Sequence, residues 1–509
     1  MEFQFPSSTF IFGFFIFTFM AIKIVHRKKT KSSSTKMPPG PWRLPLIGNM
    51  HQLVGSLPHH RLRDLAKKYG PLMHLQLGES SIIVVSSAEI AEEVLKTHGV
   101  IFANRPFLVS TRVISYNYTD IGFAPYGKYW RILRKICTVE LLTANRVQSF
   151  RSIREEETSN VIKTIYSKEG SLVNLSEKIF ASIYDITARA AFGNKSKDQQ
   201  KFILIVMKAI ELASGFSIAD LYPSIGILEV ITGMKSKIEK LHQERDRILG
   251  DIIDEHKERR QTTKTGQKEA DEEDLIDAFL RLQEDGDLEF PLTNNNIKAV
   301  IWDIFSAGSE TSSTIIEWAM SEMLKNPRLM KEAQAEVRQV FDVKGKVDEF
   351  GIHELKFLKA VIKETLRLHP AAPLLVPREN SDSCQINGSE IPAKTRTIVN
   401  TWAIGRDPKY WTEAEKFIPE RFLDSSLDYK GTNFMYIPFG AGRRICPGIQ
   451  FAIPNIELPL AQLLYHFDSK LPNGMKAEDL DMTEAFGLTV RRKNDLMLIP
   501  IRYCPCPDI

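Results

Sequence analysis

Apolar residues recur three and four positions apart over 88–97, 147–167, 235–256, 294–325 and 355–368, so each of these stretches reads as a helix. The longest, 294–325, contains no proline and only one glycine, Gly308. At about 1.5 Å per residue it would run on the order of 48 Å, enough to cross a whole domain. Ile297, Val300, Ile301, Ile304, Phe305, Ile315, Ile316 and Trp318 lie on more than one face of it, which requires burial from several sides. Strand-like alternation is short by comparison. Residues 74–77 and 82–85 flank Gly78-Glu79-Ser80 as a hairpin, and 395–400 forms another strand. The 257–273 stretch (KERRQTTKTGQKEADEE) is almost without apolar residues and reads as an exposed, mobile loop. No Ser/Gly-rich linker or internal repeat follows residue 45. The pattern therefore predicts one large domain, mostly α with small β-sheets.

The amino terminus follows different rules. Residues 9–25 (TFIFGFFIFTFMAIKIV) carry one charge, Lys23, and reach the lower limit of about 17 residues for a spanning helix. Lys23, Arg27, Lys28, Lys29, Lys31 and Lys36 follow the apolar run, where a signal peptide would place its small-residue cleavage site. This favours a retained, single-pass anchor over 1–25. The basic flank puts the body on the cytosolic side, so Asn117, Asn174, Asn194 and Asn387 of the N-x-S/T sequons should carry no glycan. Residues 26–48 form a basic, Pro-rich hinge in which Pro38-Pro39-Gly40-Pro41 is a stiff spacer, and 49–509 form the body.

Composition narrows the function classes. A net charge of +4, from 67 basic and 63 acidic residues, is too small for a nucleic-acid coat. Cys137, Cys384, Cys446, Cys504 and Cys506 are too few and too scattered for a disulfide scaffold, and an odd count points to a reducing compartment. Cys504-Pro505-Cys506 reads as incidental.

The chemistry is concentrated in one string, Phe439-Gly440-Ala441-Gly442-Arg443-Arg444-Ile445-Cys446-Pro447-Gly448, which matches F-x-x-G-x-R-x-C-x-G. Ordinary residue frequencies give such a match by chance about once in ten thousand chains of this size. Glu364 and Arg367 lie three apart on a helix, where their side chains meet. Pro419-Glu420-Arg421-Phe422 follows, Ala307-Gly308-Ser309-Glu310-Thr311-Ser312 falls within the long helix, and Trp130-Arg131-Ile132-Leu133-Arg134 gives a W-x-x-x-R.

In these motifs the chain resembles the cytochrome P450 superfamily of haem-thiolate monooxygenases, from the amino-terminal anchor to about Arg502. The resemblance implies the P450 fold, haem b (iron protoporphyrin IX) as cofactor and Cys446 as the axial ligand of its iron, in a string that also supplies Phe439. A thiolate suits that role because it pushes electron density onto iron. Glycines at 442 and 448 allow the close backbone approach that aims amides at the sulfur. Trp130, Arg134, Arg444 and Arg378 would contact the haem propionates, the arginines through planar forks that match carboxylates. The small pair Ala307 and Gly308 would leave room for a flat cofactor and dioxygen, while Thr311 and Glu310 would be the catalytic proton donors. The other reading of Thr311 is a helical hydroxyl bonded back to a carbonyl. Glu364, Arg367 and Arg421 would form a buried structural network. Pro454 departs from the pattern, because it falls inside the helix expected after Cys446, where a proline costs about 3 kcal/mol and forces a kink.

PFGAGRRICPG, WAIGRDPKYW and the anchor-plus-hinge arrangement are similar to the plant microsomal type, A-type of the 71 clan, close to terpenoid hydroxylases. That resemblance implies an endoplasmic-reticulum membrane location and electrons from NADPH through a separate NADPH-cytochrome P450 reductase. The segments 107–123, 301–311, 372–376 and 485–489 are mostly apolar, with Phe107, Val113, Ile114, Leu375, Phe486 and Leu488, so a hydrophobic substrate is expected. A sesquiterpene or diterpene fits best, hydroxylated with O2, and an alkaloid or flavonoid is the alternative. Two other classes remain: a membrane-anchored binding protein without catalysis, and a haem isomerase or dehydratase that needs no reductase.

Overall fold

The computed structural model describes residues 37–195, 199–212, 217–264, 273–286, 288–485 and 487–503. The proposed anchor, part of the hinge, Phe486, Cys504 and Cys506 lie outside the described residues. No helix among those described is long and apolar enough to cross a membrane.

The axis of the molecule is the central helix, Asn294–Lys325. Its start is fixed by reciprocal capping. Thr293 Oγ1 accepts from the Asn296 amide at 3.3 Å, and Asn296 Oδ1 accepts from the Thr293 amide at 2.8 Å. Two separate cores grip it. Ile297, Val300, Ile301, Trp302 and Phe305 belong to one, with Leu133, Tyr184, Phe202 and Phe279. Ile315, Ile316, Ala319 and Met323 belong to the other, with Ile183, Val337, Leu358 and Leu464. Each fully buried Leu, Ile or Phe contributes about 1.5–3 kcal/mol, so each core by itself holds its half of the helix. Between the two grips lies the 306–311 turn. Mid-helix polar residues are satisfied by bonding back to carbonyls, as in Ser309 to Phe305 O at 2.8 Å and Ser321 to Glu317 O at 2.7 Å.

The strands are β1 (Leu72–Leu77), β2 (Ser80–Val85), β3 (Val173–Asn174), β4 (Arg378–Glu379), β5 (Cys384–Ile386), β6 (Ser389–Ile391), β7 (Arg396–Val399), β8 (Phe467–Lys470) and β9 (Met497–Arg502). They make sheets of order β1-β2-β7-β4, β3-β9-β8 and β5-β6. The 74–77 and 82–85 hairpin is present and longer than its alternation suggested, with Leu72 opposite Val85.

One sequence expectation needs correction. Residues 257–264 are not loop but the last turns of a helix, Met234–Lys264. The charges that suggested solvent are used in tertiary pairs, since Arg259 meets Asp277 at 2.5 Å and Lys257 donates to Asn294 Oδ1 at 3.1 Å. The helix after Cys446, Ile449–His466, is one continuous element across Pro454 and across a second proline, Pro459. Ile456, Leu458, Leu460 and Leu464 are buried there, and that burial offsets two mid-helix prolines, which cost about 3 kcal/mol each.

Glu364 and Arg367 lie on the helix Lys356–Leu368, and both side chains are 0% exposed. All five guanidinium donors of Arg367 are committed. Nε and Nη2 reach the two Glu364 oxygens at 2.7 Å each, Nη1 reaches Gly405 O at 2.5 Å and Ala414 O at 2.7 Å, and Nη2 also reaches Lys416 O at 2.9 Å. Arg421 Nε adds a bond of 3.1 Å to Glu364, as the sequence order implied.

Candidate functional site

The Cys446 loop is shaped by glycines at positive φ, Gly440 at +70° and Gly442 at +68°. A Cβ at Gly442 would stand 2.1 Å from Leu95 O, so no other residue fits there. The loop then closes through Cys446 N donating to Phe439 O at 3.0 Å, while the Phe439 ring packs edge-on against Tyr429. Gly448 N points at Cys446 Sγ, 3.4 Å away, immediately before the helix Ile449–His466 begins. Burial pushes the Cys446 thiol up, while the Gly448 amide and the Arg134 charge favour the thiolate. Arg134 Nη2 donates to Ile445 O at 2.5 Å, which sets its charge beside the sulfur loop.

The loop meets the central helix at a defined point. A Cβ on Gly308 would lie 3.4 Å from Phe451 and 3.5 Å from Thr187. Those are ordinary contact distances where three helices meet, and its neighbour Ala307 is exposed in the middle of an otherwise buried helix. The turn between the two cores therefore leaves Ala307 exposed and Thr311 half-buried. Thr311 Oγ1 donates back to Ala307 O at 2.6 Å, the alternative recognised in the sequence, and its lone pairs remain to accept a proton. Glu310 is buried with Oε2 lacking any hydrogen-bond partner. Burial pushes its carboxyl up to about 7, against the pull of the Arg491 charge and the Thr489 hydroxyl.

Four arginines converge beside the sulfur loop. Arg444 donates to Ala103 O at 2.8 Å, Ile121 O at 3.2 Å and Ala124 O at 2.5 Å, with its guanidinium 4.1 Å above the Trp130 ring. Arg378 reaches Ala441 O at 3.1 Å. Arg105 reaches Gly122 O at 2.8 Å, Val376 O at 2.7 Å and Pro377 O at 2.8 Å. Arg134 completes the set. Trp130 Nε1 donates to Ile121 O at 3.0 Å, so the indole braces this wall. Among the described residues none of the four forms an ion pair with a carboxylate. Burial pushes Arg378 down to about 10, and burial with the neighbouring Arg378 charge pushes Arg444 down to about 9. Three buried cations and a half-buried fourth, held by carbonyls and the Trp130 ring, call for an anion. Haem fits that requirement: its two propionates match the guanidinium forks, and a thiol aimed at by an amide stands beside them. Arg105 was missed in the sequence because it belongs to no spaced motif.

An apolar cavity of about 30 Å³ lies nearby, lined in part by Leu374, Leu375, Ile398, Leu488 and Val490. Phe107 is 59% exposed, and Val113 and Ile114 are half-buried.

Comparison with known proteins agrees with this geometry. The Cytochrome P450 family profile matches residues 38–499. The chain is 59% identical to cytochrome P450 71D10 of Glycine max over 98% of its length and 97% of that protein. It is 54% identical to premnaspirodiene oxygenase of Hyoscyamus muticus, over 99% of both chains. It is also 54% identical to tabersonine 16-hydroxylase 2 of Catharanthus roseus, over 97% of both. Among solved structures, a zebra fish cytochrome P450 with abiraterone superposes with a TM-score of 0.73 at 26% identity, covering 87% of this chain and 99% of that one. The unpaired arginines, the amide-directed sulfur and a match over nearly the whole chain lead to one conclusion: the chain belongs to the cytochrome P450 family as a plant A-type, haem-dependent monooxygenase, the family whose electrons come from NADPH through a reductase.

Proposed function

We propose that this monooxygenase hydroxylates a hydrophobic terpenoid, a sesquiterpene or diterpene. The arginine cluster beside Cys446 carries the monooxygenase part of the reading, and the apolar lining carries the substrate part. Cys446 would ligate the haem iron, and Arg105, Arg134, Arg378 and Arg444 would hold the propionates, with Trp130 bracing Arg444. When bound, haem supplies the reductive activation of dioxygen. The chain's residues do the rest. The central helix leaves Ala307 exposed, and Leu374, Leu375 and Leu488 would exclude water from a hydrocarbon substrate. Glu310 holds a proton on a buried carboxyl, and Thr311 lies next to it with lone pairs free to receive and pass one on.

The similarity to premnaspirodiene oxygenase supports the terpenoid reading. An alkaloid is the second reading, because tabersonine 16-hydroxylase 2 is equally similar. For location, the apolar run and its basic flank support an endoplasmic-reticulum anchor over 1–25, a hinge over 26–48 and a cytosolic body over 49–509. The test is turnover with a plant NADPH-cytochrome P450 reductase, NADPH and a panel of sesquiterpene and diterpene hydrocarbons beside indole alkaloids. A terpene product heavier by one oxygen, dependent on NADPH, is the expected result. Turnover confined to the alkaloids would transfer the proposal to that class.

A further inference from the structure

Asp303 lies one turn before Ala307 on the central helix, and its Oδ2 accepts from two consecutive amides, Ile121 N at 3.0 Å and Gly122 N at 2.9 Å. Asp120, just ahead of those amides, is 1% exposed and accepts from Phe123 N through Oδ1 at 2.9 Å. Both carboxyl groups turn to the same point, since a Cβ on Gly122 would stand 3.3 Å from Asp303 Oδ2 and 3.7 Å from Asp120 Oδ2. Two carboxylates brought together out of water have acceptors only and repel each other, so their meeting here calls for a proton on one of them. We propose that Asp120 and Asp303 share one proton and act together as positioning residues, the acid on Asp120 donating to the carboxylate of Asp303.

The pair positions the wall of the site. Segment 120–124, fastened by three amides to the two carboxyl groups, supplies the carbonyls that anchor the charged wall: Ile121 O takes Trp130 and Arg444, Gly122 O takes Arg105, and Ala124 O takes Arg444. The same segment closes the 107–123 stretch expected to line the substrate pocket. Asp303 and Asp120 thus tie the helix that carries Glu310 and Thr311 to the donors beside Cys446.

The surrounding charges show what moves the proton. Burial and the neighbouring Asp303 charge raise Asp120 well above the usual carboxylate range, with Arg444 and Arg105 nearby pulling the other way. Burial pushes Asp303 up to about 6, against the Ile121 and Gly122 amides and Arg245. The Tyr129 hydroxyl and Cys137 thiol also face the pair, and both are neutral near pH 7, since burial and the acids push them up. Anionic groups on Arg105 and Arg444 would neutralise the charges that favour ionisation of Asp120. Cofactor loading therefore tightens the shared proton. Because the protonated pair is favoured when folded, the clasp is complete at low pH and is lost as pH rises through its second ionisation.

The test uses the full-length holoenzyme and hydrogen exchange of segment 118–126, corrected for intrinsic rates, as pH is raised from about 6. Wild type should lose protection by about tenfold per pH unit once the second proton leaves. Asp120→Asn, whose amide donates as the acid does, should keep the protection and lose the pH dependence, whereas Asp303→Ala should lose protection at every pH. Flat wild-type protection, or an unchanged slope in Asp120→Asn, would overturn the proposal. Infrared spectroscopy supplies a second readout that does not depend on the variants folding. Wild type should show the carbonyl stretch of a protonated carboxylic acid that disappears as protection is lost, and its absence at every pH would also overturn the proposal.

Discussion

Among the arginine centres of the described residues, two differ in one telling respect. Arg367 has every donor used and a carboxylate, Glu364, against it at 2.7 Å. Arg105, Arg134, Arg378 and Arg444 have carbonyls but no carboxylate ion pair among the described residues. The first centre is electrically complete within the chain, so its work is structural. The second is complete only when an anion arrives, so its work is binding. The difference shows that burial of charge does not mark a site, whereas an unpaired excess of one sign does.

Breaking the complete centre should have the largest effect. Glu364→Ala leaves the Arg367 charge buried and unpaired, and should cost about 3–5 kcal/mol in denaturant unfolding of the full chain. Glu310 sharpens the contrast from the acidic side. Its carboxyl, held up to about 7, favours the folded state below the ordinary carboxylate range, and that contribution is lost as pH rises through 7. Glu310→Gln should therefore be more stable than wild type by roughly 3 kcal/mol in alkaline buffer and should lose the decline in product formation above pH 7. Arg444→Gln tests the incomplete centre. The haem-free chain should unfold within about 1 kcal/mol of wild type, while haem affinity falls by about 2 kcal/mol, roughly thirtyfold, in a haem titration. Equal losses in both would erase the distinction. The exposed Arg328–Glu332 pair, 2.9 Å apart with side chains 68% and 43% exposed, is the control. Glu332→Ala should shift unfolding by no more than about 0.5 kcal/mol.

These differences were unequally legible in the sequence. The central helix was read to its end residues, because an apolar pattern on several faces admits little else and Thr293 caps it. Glu364, Arg367 and Arg421 were legible because their motifs carry spacing. Arg105 was not, since a lone arginine between apolar residues has no spacing to report. The Asp120–Asp303 pair joins residues 183 positions apart in chain order, which no local motif encodes. Gly308 was recognised as small, but which neighbour its missing Cβ faces is a matter of helix rotation, and only packing against Phe451 reveals it. The 257–264 turns were misread because their charges are satisfied by partners far along the chain. Both prolines of Ile449–His466 are tolerated because the surrounding core outweighs them.

The central claim is that Cys446 and the arginine cluster together build a haem-thiolate site. Its most direct test is the carbon monoxide difference spectrum of the reduced, haem-reconstituted protein, recorded with haem stoichiometry for wild type and Cys446→Ser. The account predicts one haem per chain and a long-wavelength thiolate-type band in wild type, with that band lost in Cys446→Ser while the arginine cluster still retains some haem. A well-folded wild-type protein that takes up no haem, or a Cys446→Ser protein that keeps the thiolate band, would contradict it.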